Sequence, residues 1–292
     1  MKKTLTKKLI ATLLVSVFTA SLIGCSSAND SKDSKDSKKS ETSTIYTGPL
    51  EGALSDYTYK VGTSGTYAPF SYFDTDGKTL IGFDMDFLHE LQNVLGFKIE
   101  DGKAQAMDYS PLTTSIAGGK LDIVMAALCA TDERKQAMNF TDTYYNAGLT
   151  VVINKNASPK EITGIDSIKD GKYKIAVQKG DASHLYLTAL KIPTDSFEVH
   201  DSITTVLQSL EQGKVDAMVY DAPGTAYYIA HKENTNLELV GEPFAEDQAP
   251  YAIAISKDAS EKKPELLSIM NAAVKQMKDD GTIDKLNEKW CN

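Results

Sequence analysis

From Tyr57 onward the chain alternates between two hydrophobic rhythms. Short β-branched and apolar runs, YTYKVGTS, KIEDGKAQAM, LDIVMAAL, KIAVQ, FEVH, VDAMVY and LELVG, read as strands. Between them lie FDMDFLHELQNVLG, DYSPLTTSIAGG, SITTVLQSLEQG and KPELLSIMNAAVKQMKDDG. Their apolar residues recur three and four apart, the stripe of an amphipathic helix, and several end in the Gly that a helix C-cap favours. Strand–helix alternation predicts an α/β protein with mostly parallel sheets covered on both faces.

One pattern occurs twice. TTSIAGGKLDIVMAAL (113–128) and TTVLQSLEQGKVDAMVYDA (204–222) each run helix, Gly-Lys-(Leu/Val)-Asp, buried strand, so that Asp122 and Asp216 correspond, 94 residues apart. This points either to two lobes built on one plan or to a common helix–Gly–strand joint reached twice. In open α/β sheets ligands bind beyond the carboxyl ends of the strands. Ala126, Ala127, Cys129 and Arg134 follow the first strand, and Asp221 follows the second. An Arg fork suits a carboxylate and an Asp suits an ammonium, and a free α-amino acid carries both. On spacing alone, Arg134 reads better as surface charge in DERKQ, and Asp221 as an N-cap for APGTAYYIA.

The beginning of the chain has a different character. Lys2, Lys3, Lys7 and Lys8 precede an apolar run, LIATLLVSVFTASLI, of the length of a secretion-signal core. Leu22-Ile23-Gly24-Cys25 then resembles the lipobox of bacterial lipoproteins, in which the Cys is diacylated and becomes the mature N-terminus. Residues 26–44, SSANDSKDSKDSKKSETST, contain no apolar cluster to offset ordering entropy and read as a flexible tether. The expected organisation is a signal peptide at 1–24, a lipidated tether at 25–54, lobe 1 at 55–147 plus 249–292, and lobe 2 at 148–248. The site expected is the outer face of a Gram-positive cell membrane, reached by the lipid alone.

Charge and composition narrow the chemistry. Removing residues 1–24 takes away four lysines and no acid, moving the net charge from −9 to −13. So acidic a chain is a poor partner for nucleic acid. At 292 residues it is long enough for two lobes with separate cores. Beyond Cys25, Cys129 and Cys291 could form one disulfide or none. His89, His184, His200 and His231 show no metal-ligand spacing, and no phosphate-binding glycine motif is present, so no cofactor is expected.

Four longer stretches carry a family likeness: GTSGTYAPFSYFDTDGKTLIGFDMDF (62–87), LDIVMAALCATDERKQAMNFTDTYY (121–145), GKVDAMVYD (213–221) and DGTIDKLNEKW (280–290). Together they resemble the polar amino acid solute-binding proteins of ABC importers. The resemblance implies the type II periplasmic-binding-protein fold, with two lobes, two hinge strands and a ligand held between the lobes. It assigns the ligand carboxylate to Arg134, with backbone N–H groups near Cys129 and at Ala182. It assigns the ammonium to Asp221 and Ala127, and the side chain to Tyr67 and Tyr109, with Ser64, Gln178, Asp181 and Tyr220 tuning selection.

The implied partners are a free amino acid and the permease subunits of an importer, bound by a monomeric, non-enzymatic receptor. The alternative is a cyclohexadienyl or arogenate dehydratase on the same fold, with Asp181 or Cys129 as general acid. Some positions depart from the family pattern. Ala126, Ala127 and Cys129 replace residues that are usually hydroxyl-bearing or Gly. Ser64 replaces a frequent Asp or Glu, and an Asp at 181 would oppose a nearby carboxylate. These changes favour an uncharged polar or sulfur-containing amino acid over Lys, Arg or His.

Overall fold

The computed structural model describes residues 45–247 and 249–291. The signal segment 1–24, the lipid acceptor Cys25 and most of the tether 25–54 lie outside the described residues. The last part of the expected tether belongs to the folded body. Leu54 is fully buried, and the N–H groups of Gly52 and Leu54 donate to the carbonyls of Val94 and Leu95 at 2.9 and 2.8 Å. The compact part therefore begins ahead of the expected boundary at 55, because Leu50 and Leu54 supply apolar surface where residues 26–44 supply none.

Two five-stranded sheets form the cores of two lobes. The first contains β1 (Val61–Thr63), β2 (Gln105–Ala106), β3 (Ile123–Val124), β4 (Asn139–Phe140) and the late strand β10 (Ala254–Ile255), in the order β2-β1-β3-β10-β4. The second contains β5 (Leu149–Asn154), β6 (Ile175–Gln178), β7 (Phe197–His200), β8 (Ala217–Asp221) and β9 (Leu237–Phe244), in the order β7-β6-β8-β5-β9. The strand orders match position for position.

The shared plan extends to the repeated sequence. Asp122 accepts the N–H of Lys60 at 2.8 Å, while Asp216 accepts that of Lys174 at the same distance. Each Asp also returns its own N–H to that lysine's carbonyl, at 2.8 and 2.9 Å. One carboxylate thus ties each central strand to its neighbour, which explains why Gly-Lys-x-Asp recurs.

Each sheet has four strands running one way and one against them, so the expected parallel arrangement is broken once per lobe. β10 runs against β3 and β4, and β5 runs against β8 and β9. The cause is the path between lobes. β1, β3, β6 and β8 run towards the cleft, whereas β5 and β10 each enter their sheet straight from a crossing and so start at the cleft. The crossings lie side by side, Tyr145 pairing with Tyr251 and Asn146 with Pro250. They fall in the two stretches, 144–150 and 249–255, that serve as hinge strands of this two-lobed fold.

The helices cover the sheets. α1 (Phe83–Leu95), α2 (Tyr109–Ala117) and α3 (Asp132–Ala137) belong to the first lobe, and α4 (Ala182–Ala189), α5 (Ile203–Glu211) and α6 (Ala222–His231) to the second. α7 (Lys257–Lys262), α8 (Leu266–Asp279) and α9 (Thr282–Trp290) follow the return crossing. The run LDIVMAAL pairs as a strand only at Ile123–Val124. Beyond it, residues 125–130 stay buried but leave the ladder, and Ala127 adopts the left-handed region at φ 49°.

Candidate functional site

Ala127 turns because something holds its N–H. Asp84, in the first turn of α1, accepts that N–H at 2.6 Å and the Tyr144 hydroxyl at 2.7 Å, and it is wholly buried. Burial pushes its carboxyl up to about 6, against the lowering effect of the two donors. The loop that carries residues 126–130 past the end of β3 is thereby fixed to α1.

That loop leads into α3. Thr131 caps the helix by accepting the Arg134 N–H at 3.3 Å, which sets Arg134 on the first turn. Arg134 is the chain's only arginine and is 7% exposed. Its Nη1 donates to the Cys129 carbonyl at 2.8 Å, and its Nη2 reaches the Gly180 carbonyl of the other lobe at 2.6 Å. The guanidinium carbon lies 5.4 Å from the Tyr109 ring centre. A guanidinium has five N–H donors. Here two are committed, both to neutral carbonyls, and no carboxylate among the described residues pairs with the charge. Surface charge is thus the wrong reading of Arg134.

Asp221 ends β8 and stands in the N-cap position of α6, yet its side chain caps nothing. Instead Oδ2 accepts the Tyr251 hydroxyl at 2.8 Å and faces the Cys129 sulfur at 3.9 Å. Oδ1 is buried without a hydrogen-bond partner among the described residues. Burial pushes this carboxyl up to about 6, although Tyr251 and Arg134 pull it down. The Tyr67 hydroxyl lies 2.9 Å from that of Tyr251, so Tyr67, Tyr251 and Asp221 make a chain from lobe to lobe through a hinge strand.

A small cavity of about 10 Å³, room for about one water molecule, lies among these groups. Ser64, Tyr67, Tyr109 and Ala127 line it from the first lobe, and Gln178, Asp181, Tyr220 and Asp221 from the second. Ser64 Oγ bonds to Thr66 Oγ1 at 3.0 Å, and Gln178 Oε1 accepts from the Tyr220 hydroxyl at 2.8 Å. Arg134 and Cys129 are not on its lining but stand next to it, Arg134 beside the Tyr109 ring and Cys129 beside Asp221. Ala182, the first residue of α4, stands behind Asp181, which caps that helix by accepting the His184 N–H at 2.8 Å. Sequence reasoning missed Asp84, Tyr144, Tyr251 and Ile203. Tyr144 and Tyr251 lie in the two crossing stretches described above, and Ile203, which opens α5, also lines the cavity.

Asp181 does not act as expected. Burial, and then the nearby Asp221 carboxylate, push its carboxyl up to about 8, so at neutral pH it holds a proton and does not oppose an anion. Cys129 and Cys291 are free thiols, which removes the disulfide option, and burial raises the Cys129 thiol well above its ordinary range. Among the described residues no group of three or more His, Cys, Asp or Glu could hold a metal ion.

Residues 59–292 match the bacterial extracellular solute-binding proteins, family 3. The chain belongs to that family. As a family 3 solute-binding protein it is 32% identical to the arginine-binding extracellular protein ArtP of Bacillus subtilis, over 79% of this chain and 84% of ArtP. It is 28% identical to the L-cystine-binding protein TcyA of the same organism, over 97% of each. The solved structure of the ancestral amino acid-binding protein AncCDT-1, a precursor of cyclohexadienyl dehydratase, superimposes with a TM-score of 0.67 at 33% identity, covering 81% of this chain and 96% of that one. These relatives are named for binding, including the dehydratase's precursor, and the family 3 protein described here is a binding protein and not an enzyme.

Proposed function

We propose that this protein is the extracytoplasmic receptor of an amino acid ABC importer and traps a free α-amino acid between its lobes. One observation carries the reading: two buried charges of unlike sign, Asp221 on the cavity lining and Arg134 against the Tyr109 ring of that lining, form no ion pair with each other. Burying an unmatched ion is costly, so such a pair suits a dipolar ligand that satisfies both ends. The ligand carboxylate meets Arg134, with backbone N–H groups near Cys129 and at Ala182. The ammonium meets Asp221 Oδ1 and the carbonyl of Ala127. Tyr67 and Tyr109 wall the side chain, and Ser64, Gln178, Asp181 and Tyr220 select it.

Lobe 1 comprises 55–147 plus 249–292, with the packed end of the tether added, and lobe 2 comprises 148–248. Ligand enters on lobe 1, and the second lobe then closes to bring Asp221 and the start of α4. Closure follows because only the closed form satisfies both ligand charges. The motif at Leu22–Cys25 supports lipidation of Cys25 and residence on the outer face of a Gram-positive membrane, as a monomer that delivers to permease subunits.

A thermal-shift screen of the twenty amino acids and cystine tests the reading, and stabilisation by none of them would refute it. The screen also has a pH signature. Asp221 must be ionised to hold an ammonium, and its carboxyl titrates at about 6. Affinity should therefore be highest near pH 7, fall roughly tenfold per pH unit below 6, and fall again above about 8 as Asp181 ionises beside the ligand carboxylate. Titration calorimetry at pH 5 and 7 measures this; equal affinities would contradict the role of Asp221.

Closure can be tested at Gly224, on α6. A Cβ there would overlap the Tyr67 ring of the opposite lobe. Gly224→Ala should weaken ligand binding by about 1–3 kcal/mol, the range for overpacking a fitted contact. Its ligand-free melting temperature should stay near that of the wild type, since the clash arises between lobes.

A further inference from the structure

The Arg134 guanidinium bonds to Gly180 of the second lobe, and that glycine is held from its other side as well. The turn Gln178–Asp181 joins β6 to α4, the Asp181 N–H donating to the Gln178 carbonyl at 3.3 Å. Gln178 and Asp181 line the cavity, while Gly180 sends its carbonyl to Arg134 Nη2. Gly180 adopts φ 70°, in the left-handed region, and lacks the Cβ that would restrict it. Its N–H donates to His184 Nδ1 at 3.0 Å.

Helix α4 does not need that bond. Asp181 already caps it by accepting the His184 N–H at 2.8 Å, and Gly180 lies outside the helix. The His184 ring is fixed on a second side by Phe197 of β7, which it meets edge to face with centres 6.0 Å apart. Burial lowers the His184 pKa from an ordinary 6.5, so the ring is neutral at pH 7. A neutral imidazole has one N–H and one bare nitrogen, and the Gly180 donor requires the bare one to be Nδ1. The His184 ring, Gly180 and Arg134 thus form one line from α4 to the opposite lobe.

We infer that His184 is a positioning residue for closure: it holds Gly180 so that the Gly180 carbonyl stands where the Arg134 guanidinium meets it across the cleft. This rests on the proposed function in one respect, that closure is what traps the amino acid. A glycine fixed beforehand has little conformational freedom left to lose when Arg134 arrives, so the contact favours the closed form. Without the ring acceptor, Gly180 samples conformations that turn its carbonyl away from Arg134, and the lobes separate faster.

Arg134 is the chain's only arginine, so selective ¹⁵N-arginine labelling displays it alone in a nuclear magnetic resonance spectrum of the full mature chain. In the ligand-free wild type, the bonds to Cys129 and Gly180 should hold its Nη groups and give separate, slowly exchanging Hη signals. His184→Leu keeps an apolar contact for Phe197 and leaves the Asp181 cap in place, but removes the acceptor; the Nη2 signals should average. His184→Asn should keep them separate, because its Oδ1 stands where the ring Nδ1 stood. Titration calorimetry with L-glutamine, L-cystine and L-arginine gives a second reading. His184→Leu should weaken each probe that the wild type binds by about threefold to tenfold, the worth of one neutral hydrogen bond, and His184→Asn by no more than about twofold. Imidazole ¹⁵N shifts of the wild type should place the His184 proton on Nε2, a reading that needs no variant to fold. A proton on Nδ1, freely averaging Arg134 signals in the wild type, or equal losses in the two variants would overturn the role of His184. Binding of no amino acid would remove the proposed function, while the Arg134 and His184 signals would still decide the role of His184.

Discussion

Arg134→Ala is expected to lose amino acid binding by about 2–5 kcal/mol, roughly thirty-fold to several-thousand-fold in Kd, and with it the ligand-induced rise in melting temperature. The loss is large for two reasons. The guanidinium supplies the buried positive charge beside the cavity and also bridges Cys129 to Gly180 across the lobes. Its removal leaves a bound carboxylate without a counter-charge and withdraws a contact made between the lobes. Arg134→Lys should recover only part of the affinity, because an ammonium cannot hold two carbonyls and a carboxylate in one plane. An undiminished thermal shift in Arg134→Ala would rule out this residue as the carboxylate anchor.

The second large effect concerns stability. Asp84→Ala should lower unfolding free energy by about 2–6 kcal/mol, since it strands two buried donors, the Ala127 N–H and the Tyr144 hydroxyl, at about 1–3 kcal/mol each. Asp84→Asn should lose less, because its carbonyl can still accept one of them. The wild type should also carry a pH signature. Burial lifts the carboxyls of Asp84 and Asp221 to about 6 and that of Asp181 to about 8, from an ordinary 3.8. The folded chain therefore keeps protons that the unfolded chain releases, and stability should fall as pH rises from about 4 to about 8. Asp84→Asn should flatten the part of that fall below about pH 6. Urea unfolding at several pH values measures both; a stability that rises over this interval would contradict the assignment.

What the sequence revealed follows from the range of the interactions concerned. The helix stripes, the caps at Thr131 and Asp181, and the recurring Gly-Lys-x-Asp joint are local, and each could be read within a few residues. The cleft residues at strand ends were legible for a similar reason, since position relative to a strand's carboxyl end is a local property. The antiparallel run of β5 and β10 was not, because it depends on where the chain re-enters a lobe. Tyr251 joins Asp221 to Tyr67 across separations of 30 and 184 residues, and Asp84 reaches Ala127 across 43. No local pattern announces such contacts. The protonated state of Asp181 was hidden as well, because it depends on burial and on a carboxylate from another strand.

The account depends on one arrangement, in which Arg134 and Asp221 divide the two charges of a single ligand between them. A crystal structure of the mature protein with its tightest-binding amino acid tests this most directly. The account predicts the α-carboxylate within hydrogen-bond distance of the Arg134 guanidinium and the α-ammonium on Asp221 Oδ1, inside the closed cleft. A ligand whose carboxylate and ammonium meet other side chains, with neither Arg134 nor Asp221 touching it, would contradict it.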